Sequence, residues 1–286
     1  SGETTRQFIS DLNVQILRDA YGYGVVLPST IDTAHATLDS QTGTLLVQGR
    51  TGALNDTIIV DMVGADIRVR VNATTELVPA ELVQQIVIAG NGGVDNITTP
   101  GIAHPIQFVD YVVSTNQDSA NAGTVGDGIV DISAVIPGNQ VALRAAIIDA
   151  NGSAVPRGIY IPRGNYRLTL TGAESAATND LDIAGTLTII GSGAGATVID
   201  ASGLNADGVG AEDRIIQVNG AAASLFLSGM TLTGATTTGT GGAIVSINNS
   251  RLEVDRVAIV GNTINGAQSG GGIRSTSGST LIVRNS

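Results

Sequence analysis

Three leucines, Leu225, Leu252 and Leu281, recur 27 and 29 residues apart, and each opens a short apolar alternation. Repeats of 20–50 residues in a β-rich sequence are the mark of stacked architectures, in which each unit buries its apolar face against the next. Four fragments align on this period: Leu181–Ile190, Ile215–Leu232, Gly242–Ile259 and Gly272–Val283. The alternation sends Leu252, Val254, Leu281 and Val283 inward to stack on equivalents, and their neighbours outward. Phe226 then lies over Glu253 over Ile282, and Ser228 over Asp255 over Arg284. At the ~4.8 Å spacing of paired strands, Asp255 and Arg284 are expected to form an exposed ion pair worth at most ~1 kcal/mol. Gly241-Gly242 and Gly270-Gly271-Gly272 precede equivalent strands and are expected at tight corners. The period predicts a parallel β-helix.

Composition agrees with a thin stacked interior. The 286 residues include 38 glycines, no cysteine, no tryptophan and 3% aromatics. The core must therefore be Val, Ile, Leu and Ala. Charged residues at 14% with 42% hydrophobics exclude intrinsic disorder. The glycines keep no three-residue period, which excludes collagen. Without cysteine there are no disulfides, thiolate nucleophiles or Cys-ligated metals. All 14 bases are arginine and scattered, against 25 acidic residues and a net charge of −11. That argues against nucleic-acid partners and excludes lysine chemistry. An acidic, lysine-free chain fits an extracellular protein, although coding bias explains it equally well. No run reaches the ~18 apolar residues of a membrane span. No signal peptide is legible, and the expectation is that one has already been removed.

Four segments follow along the chain. Residues 1–33 alternate at Leu12, Val14 and Ile16, a possible strand for pairing between subunits, although Ile9, Leu12 and Ile16 also suit a helix face. Residues 34–100 form a small β-module with runs at Thr44–Val47, Thr57–Val63, Ile67–Val71 and Leu82–Ile88. In Ile67–Val71 the alternation buries one face and turns Arg68 and Arg70 out. Residues 101–138 are expected to be a linker or insertion. In the fourth, 139–286, the stretch Gln140–Ala150 predicts a helix with one apolar face at Val141, Ala145 and Ile148, closed by a left-handed cap at Asn151-Gly152.

Within the last segment, Val141-Ala142-Leu143-Arg144-Ala145-Ala146-Ile147, then Ile159-Tyr160-Ile161-Pro162-Arg163-Gly164-Asn165-Tyr166, then Leu181–Gly191 resemble a known family. It comprises bacterial secreted surface proteins whose right-handed parallel β-helix is headed by a Cys-Ser-Leu-Arg-Glu-Ala-Ile-like motif. The chain departs from it with Val141 for Cys and Ala145 for Glu. The resemblance implies an all-β fold, a right-handed parallel β-helix with an N-terminal capping helix, in an extracellular or cell-surface setting. A second resemblance covers 42–98, to haemolysin-type calcium-binding repeats. It is carried by Gly90-Asn91-Gly92-Gly93-Val94-Asp95-Asn96-Ile97 and, in part, Thr51–Ile58. It implies a calcium site with Asp95, Asn96 and Asp56 as ligands; the alternative is a glycine hairpin closed by Asp95 and Asn96 side chains.

Catalytic residue types are scarce. His35 and His104 stand apart, in no metal-ligand spacing. No Gly-x-Ser-x-Gly elbow occurs, and Gly191-Ser192-Gly193-Ala194-Gly195 reads as a corner, not a phosphate cradle. A polysaccharide lyase or hydrolase would need clustered carboxylates drawn from Asp180, Asp182, Asp200, Asp207, Glu212, Asp213, Glu253 and Asp255. The aligned repeats put Asp255 between Ser228 and Arg284, not over another acid, and Phe226 is the sole aromatic after Tyr166. The expectation is therefore a structural or adhesive surface protein, not an enzyme; the alternative is a carbohydrate-active β-helix enzyme, a polysaccharide lyase or hydrolase, or a carbohydrate-binding module. Its partners would be other copies of itself or cell-surface components, with polysaccharide the alternative. The sequence stops in mid-repeat, so a further strand is expected on it, and a strand given by another copy would build a head-to-tail fibre.

Overall fold

The computed structural model describes residues 35–50, 54–126, 128, 130, 132, 140–172, 175–204, 214–265 and 269–286. The proposed pairing strand within residues 1–33, and Asp207, Glu212 and Asp213, lie outside them. The described chain is mainly β, with one helix and extensive parallel pairing.

The first eight strands are β1 (His35–Asp39), β2 (Thr44–Gln48), β3 (Thr57–Val63), β4 (Asp66–Val71), β5 (Thr74–Pro79), β6 (Gln85–Ala89), β7 (Asn96–Thr98) and β8 (Ile106–Val109). They make two sheets, ordered β1-β2-β6-β8 and β5-β4-β3-β7. Strands β2, β6 and β8 run parallel, and so do β3 and β7, whereas β3-β4-β5 is an antiparallel meander. Leu45, Val47, Ile58, Val60, Ile67, Val69, Ile86 and Ile88 fill the space between the sheets. As the alternation requires, Arg68 and Arg70 turn outward, where both bind Asp61 on the neighbouring strand. The run from Leu82 begins later than expected, because Ala80–Leu82 is a 3-10 turn.

The rest comprises β9 (Tyr111–Val112), α1 (Leu143–Asn151), β10 (Arg157–Ile161), β11 (Gly164–Arg167), β12 (Leu181–Ile183), β13 (Thr186–Gly191) and β14 (Thr197–Asp200). Then come β15 (Ile216–Asn219), β16 (Ser224–Thr233), β17 (Thr236–Thr237), β18 (Ile244–Ile247) and β19 (Arg251–Ile259). Last are β20 (Thr263–Ile264), β21 (Ile273–Ser275) and β22 (Thr280–Arg284). Every ladder among β9–β22 is parallel. The repeat sets the register: Leu187 pairs with Leu225, Leu225 with Leu252, and Leu252 with Leu281. A second column runs β12-β15-β18-β21 through Ile216, Ile244 and Ile273. Between the columns lies a core of Leu, Ile, Val, Ala and Met230, with aromatics only at Tyr111 and Tyr166.

The expected rows appear on the outer face, Phe226–Glu253–Ile282 and Ser228–Asp255–Arg284. The expected ion pair does not. Arg284 reaches diagonally to Glu253, which also binds Arg251, while Asp255 pairs with Arg256 and accepts from the Asn285 amide. Long side chains span the diagonal easily, and Glu253 lies between two arginines.

Helix α1 also differs from its sequence reading. It is buried nearly all round, Arg144 and Asp149 included, with Ile148 only half-buried. Gly152 adopts a right-handed conformation (φ −77°), not the left-handed cap expected. The closure comes instead from Asn151, whose side-chain oxygen accepts from the Ala184 and Gly185 N–H groups and whose amide donates to Asp182 O.

The stretch read as a linker is packed structure over its described part. Asp118 and Arg144 form an ion pair at 2.6 Å with both side chains 1% exposed. Asp118 also accepts from the Thr169 and Leu170 N–H groups, and Arg144 donates to the Asn179 and Asp180 carbonyls. Likewise Asp149 accepts from Tyr111 Oη, Gly126 N and Gly128 N. Charges this deep persist only when every lone pair and proton is matched.

Candidate functional site

The first module lies over the parallel strands through one small cluster: Val87, Ala89 and Val109 against Val112, Tyr160 and Ile190. Strand β6 is thus buried on both faces, which explains its unbroken apolar run. Tyr160, Ile190, Ser228 and Asp255 form one outward row across β10, β13, β16 and β19. The apolar contact covers Tyr160 and Ile190. Past Ile190 a cleft of about 560 Å³ opens over Ser228 and continues to Arg256 and Asn285.

One wall is Thr42, Gln84, Gln85, Pro105 and Gln107. Gly43 fits this arrangement, since its φ is +65° and a Cβ there would strike the Gln84 side chain. The opposite wall is a row of corners. Gly229 (φ +68°), Arg256 (φ +53°) and Asn285 (φ +51°) each follow the paired residues Ser228, Asp255 and Arg284, and all three are left-handed. Beside them Gly191 and Gly229 are pressed together, and a Cβ on Gly191 would strike the Gly229 carbonyl. A left-handed arginine costs roughly 1–2 kcal/mol, which glycine avoids.

Of the polar side chains facing this space, Thr42, Gln85, Ser192, Arg256, Asn285 and Ser286 bond within the chain. Among the described residues, the Gln84 and Gln107 amides and the Ser228 hydroxyl make no hydrogen bond within the chain, although Ser228 is only 3% exposed. Gln85 donates to Thr44. The one cation, Arg256, stands 3.1 Å from Asp255, so the cleft carries little net charge. A second hollow of about 340 Å³ shares Ser192 and holds Tyr160 and the Arg163–Asp39 pair. Tyr160 Oη meets Ser192 Oγ at 2.9 Å, and burial raises the phenol above its ordinary pKa. Burial likewise works to raise the Asp39 carboxyl, but hydrogen bonds from Gln41, Arg163 and Thr42 outweigh it and hold it below the usual range.

The residues proposed for calcium lie in the first module. Asp56 and Asp95 precede paired residues, Thr57 and Asn96, so the two glycine loops stack. Asp56 Oδ1 accepts from Arg50 Nε and Asn72 Nδ2, Asp56 Oδ2 from Arg50 N, and Asp95 Oδ1 from Asp56 N. Burial works to raise Asp56, but Asn72 and Arg50 outweigh it and hold the carboxyl below its usual range. Burial and the neighbouring Asp56 charge raise Asp95. Three of four carboxylate oxygens are committed to donors, Arg50 supplies the cation, and Asn96 is exposed. These residues do not fit calcium, which needs an open cage of oxygens. They close stacked glycine loops. No cluster of three or more His, Cys, Asp or Glu side chains able to hold a metal occurs among the described residues.

The other carboxylates are dispersed. Asp180 is fully buried beside Arg214, Asp182 accepts from Gln217, and Asp200 accepts from Ser202 N. Glu253 and Asp255 are tied to arginines. His104 is half-buried in the first module. The Gly191–Gly195 segment joins β13 to β14 and turns at Gly193 and Gly195, both with positive φ. The cleft has no signature in the sequence beyond the glycine that follows Ser228. Compared with known proteins, the chain matches no family model, no curated protein and no solved structure.

Proposed function

We propose that this is an extracellular or cell-surface structural protein, acting as scaffold or adhesin. Residues 139–286 would form a right-handed parallel β-helix capped by α1, akin to the secreted bacterial surface family named above. The observation that carries this reading is the in-register column Leu187–Leu225–Leu252–Leu281, with its partner column Ile216–Ile244–Ile273. Two parallel columns closing on an aliphatic core are what a stacked fold needs and what a catalytic centre does not. The ionisable groups support it, because they are used in pairing and loop closure. Among the described residues no helix is long and apolar enough to cross a membrane.

Strand β22 pairs with β19 alone among the described strands, leaving Leu281 and Val283 38% and 50% exposed. A further parallel strand in the same register would bury both, whichever chain supplies it. Supplied by a second copy, it would join copies head to tail into a fibre. Electron microscopy and light scattering across a concentration series test this. Filaments that vanish in Leu281→Asp/Val283→Asp are expected, and a strict monomer at the highest concentration would sink the fibre reading.

A further inference from the structure

We propose that the cleft between the first module and the parallel strands is a binding site for an uncharged oligosaccharide. Its volume of about 560 Å³ lies within the ~300–1,000 Å³ of ligand pockets. The decisive feature is the mismatch between burial and bonding. Ser228 is 3% exposed, yet its hydroxyl makes no hydrogen bond within the described chain, and it faces the cleft with Gln84 and Gln107. A hydroxyl that the chain buries and leaves unbonded can be satisfied only from the cleft it opens on, where the half-buried Gln107 and the exposed Gln84 stand beside it.

The lining selects the chemistry. Amides and hydroxyls both donate and accept, which suits sugar hydroxyls that also do both. A phosphate or carboxylate ligand would need a surplus of cations, and Arg256 is already neutralised by Asp255. An extended peptide would need an open strand edge, but β13, β16 and β19 beneath the cleft are each paired on both sides. At the left-handed corner Gly229 there is no side chain, which leaves the backbone of that wall open to a ligand.

The test is titration of the full chain with neutral hexasaccharides of β-1,4-glucose, β-1,4-xylose and α-1,4-glucose. A hexagalacturonate and an uncharged Ser/Gly/Gln peptide serve as comparators. The readouts are the side-chain amide NMR signals of Gln84 and Gln107, and calorimetry. Saturable shifts of both amides are expected with at least one neutral sugar, at a dissociation constant of order 1 mM for a few net hydrogen bonds without an aromatic platform. Gln107→Ala and Ser228→Ala should each weaken binding about 3–10-fold without moving the melting temperature by more than a degree or two. The proposal is overturned if no neutral sugar shifts these amides, if the acidic sugar or the peptide binds more tightly, or if both variants bind like wild type. Fibre formation depends on β22 and sugar binding on the Gln84/Gln107/Ser228 cleft, so either can fail without the other.

Discussion

Replacing Asp118 by alanine should be among the most damaging single changes in the described chain. Its carboxylate holds Arg144 through Nε at 2.6 Å and Nη2 at 3.2 Å, and accepts from Thr169 N at 2.6 Å and Leu170 N at 2.9 Å. Both charged side chains are 1% exposed. Alanine therefore leaves a guanidinium without a counter-charge in a dry site, a cost of about 3–5 kcal/mol. It also strips two backbone N–H groups of their acceptor, at about 1–3 kcal/mol each if water cannot reach them. The carbonyls of Asn179 and Asp180 still hold Arg144, so the lower end, about 3–5 kcal/mol in all, is the firmer expectation. At about 2–4 °C per kcal/mol for a chain of this size, the melting temperature should fall by roughly 6–20 °C. Differential scanning calorimetry and urea melts followed by far-UV circular dichroism measure it. Arg144→Met should be milder, since Asp118 keeps its two N–H donors, and the double variant should cost less than the two singles together. If Asp118→Ala melts within about 1 kcal/mol of wild type, water reaches the pair and the clamp described above is wrong.

Four more outcomes follow from particular residues. Arg256→Gly removes a left-handed arginine and should stabilise by about 0.5–1 kcal/mol, the relief of strain less the greater entropy of unfolded glycine, as read by urea midpoint. The depressed carboxyls of Asp39, Asp56 and Asp61 contribute stability that is present above their unfolded pKa of about 4 and lost as pH falls through their lower folded values. Asp95, raised, has the opposite sign, and it is one against three, so melts should show stability declining below about pH 4. Because Arg50, Asn72 and backbone N–H groups already occupy Asp56 and Asp95, millimolar calcium should leave the melting temperature unchanged. Asp95→Asn, which keeps the acceptor for Asp56 N and removes a like charge, should be neutral or mildly stabilising.

The stacking register was legible in the residues alone. A strand alternates with period 2 and a repeat must place like on like, so Leu225, Leu252 and Leu281 had one consistent arrangement. The outward rows followed from it without further information. Corner glycines were legible for the same reason, because a left-handed bend costs least where no Cβ stands: Gly241 and Gly270 do turn with positive φ. What chain order could not convey was which charges would meet. Arg284 chose Glu253 over Asp255 because side-chain reach and a second arginine outweighed direct register. Asp118 sits in a stretch whose composition is that of a loop, and its burial depends on Arg144, Thr169 and Leu170, which only the folded chain brings near it.

The cleft belongs wholly to this second category. Repetition along the sequence dictated parallel pairing and an aliphatic interior, because those follow from local period and from contacts between equivalent residues. How far the first module extends across the outer row Tyr160–Ile190–Ser228–Asp255 depends on a handful of non-local apolar contacts, those of Val87, Ala89 and Val109 with Val112, Tyr160 and Ile190. Such contacts have no period and no motif. They end at Ile190, and Ser228 is left buried without a bond on account of that boundary.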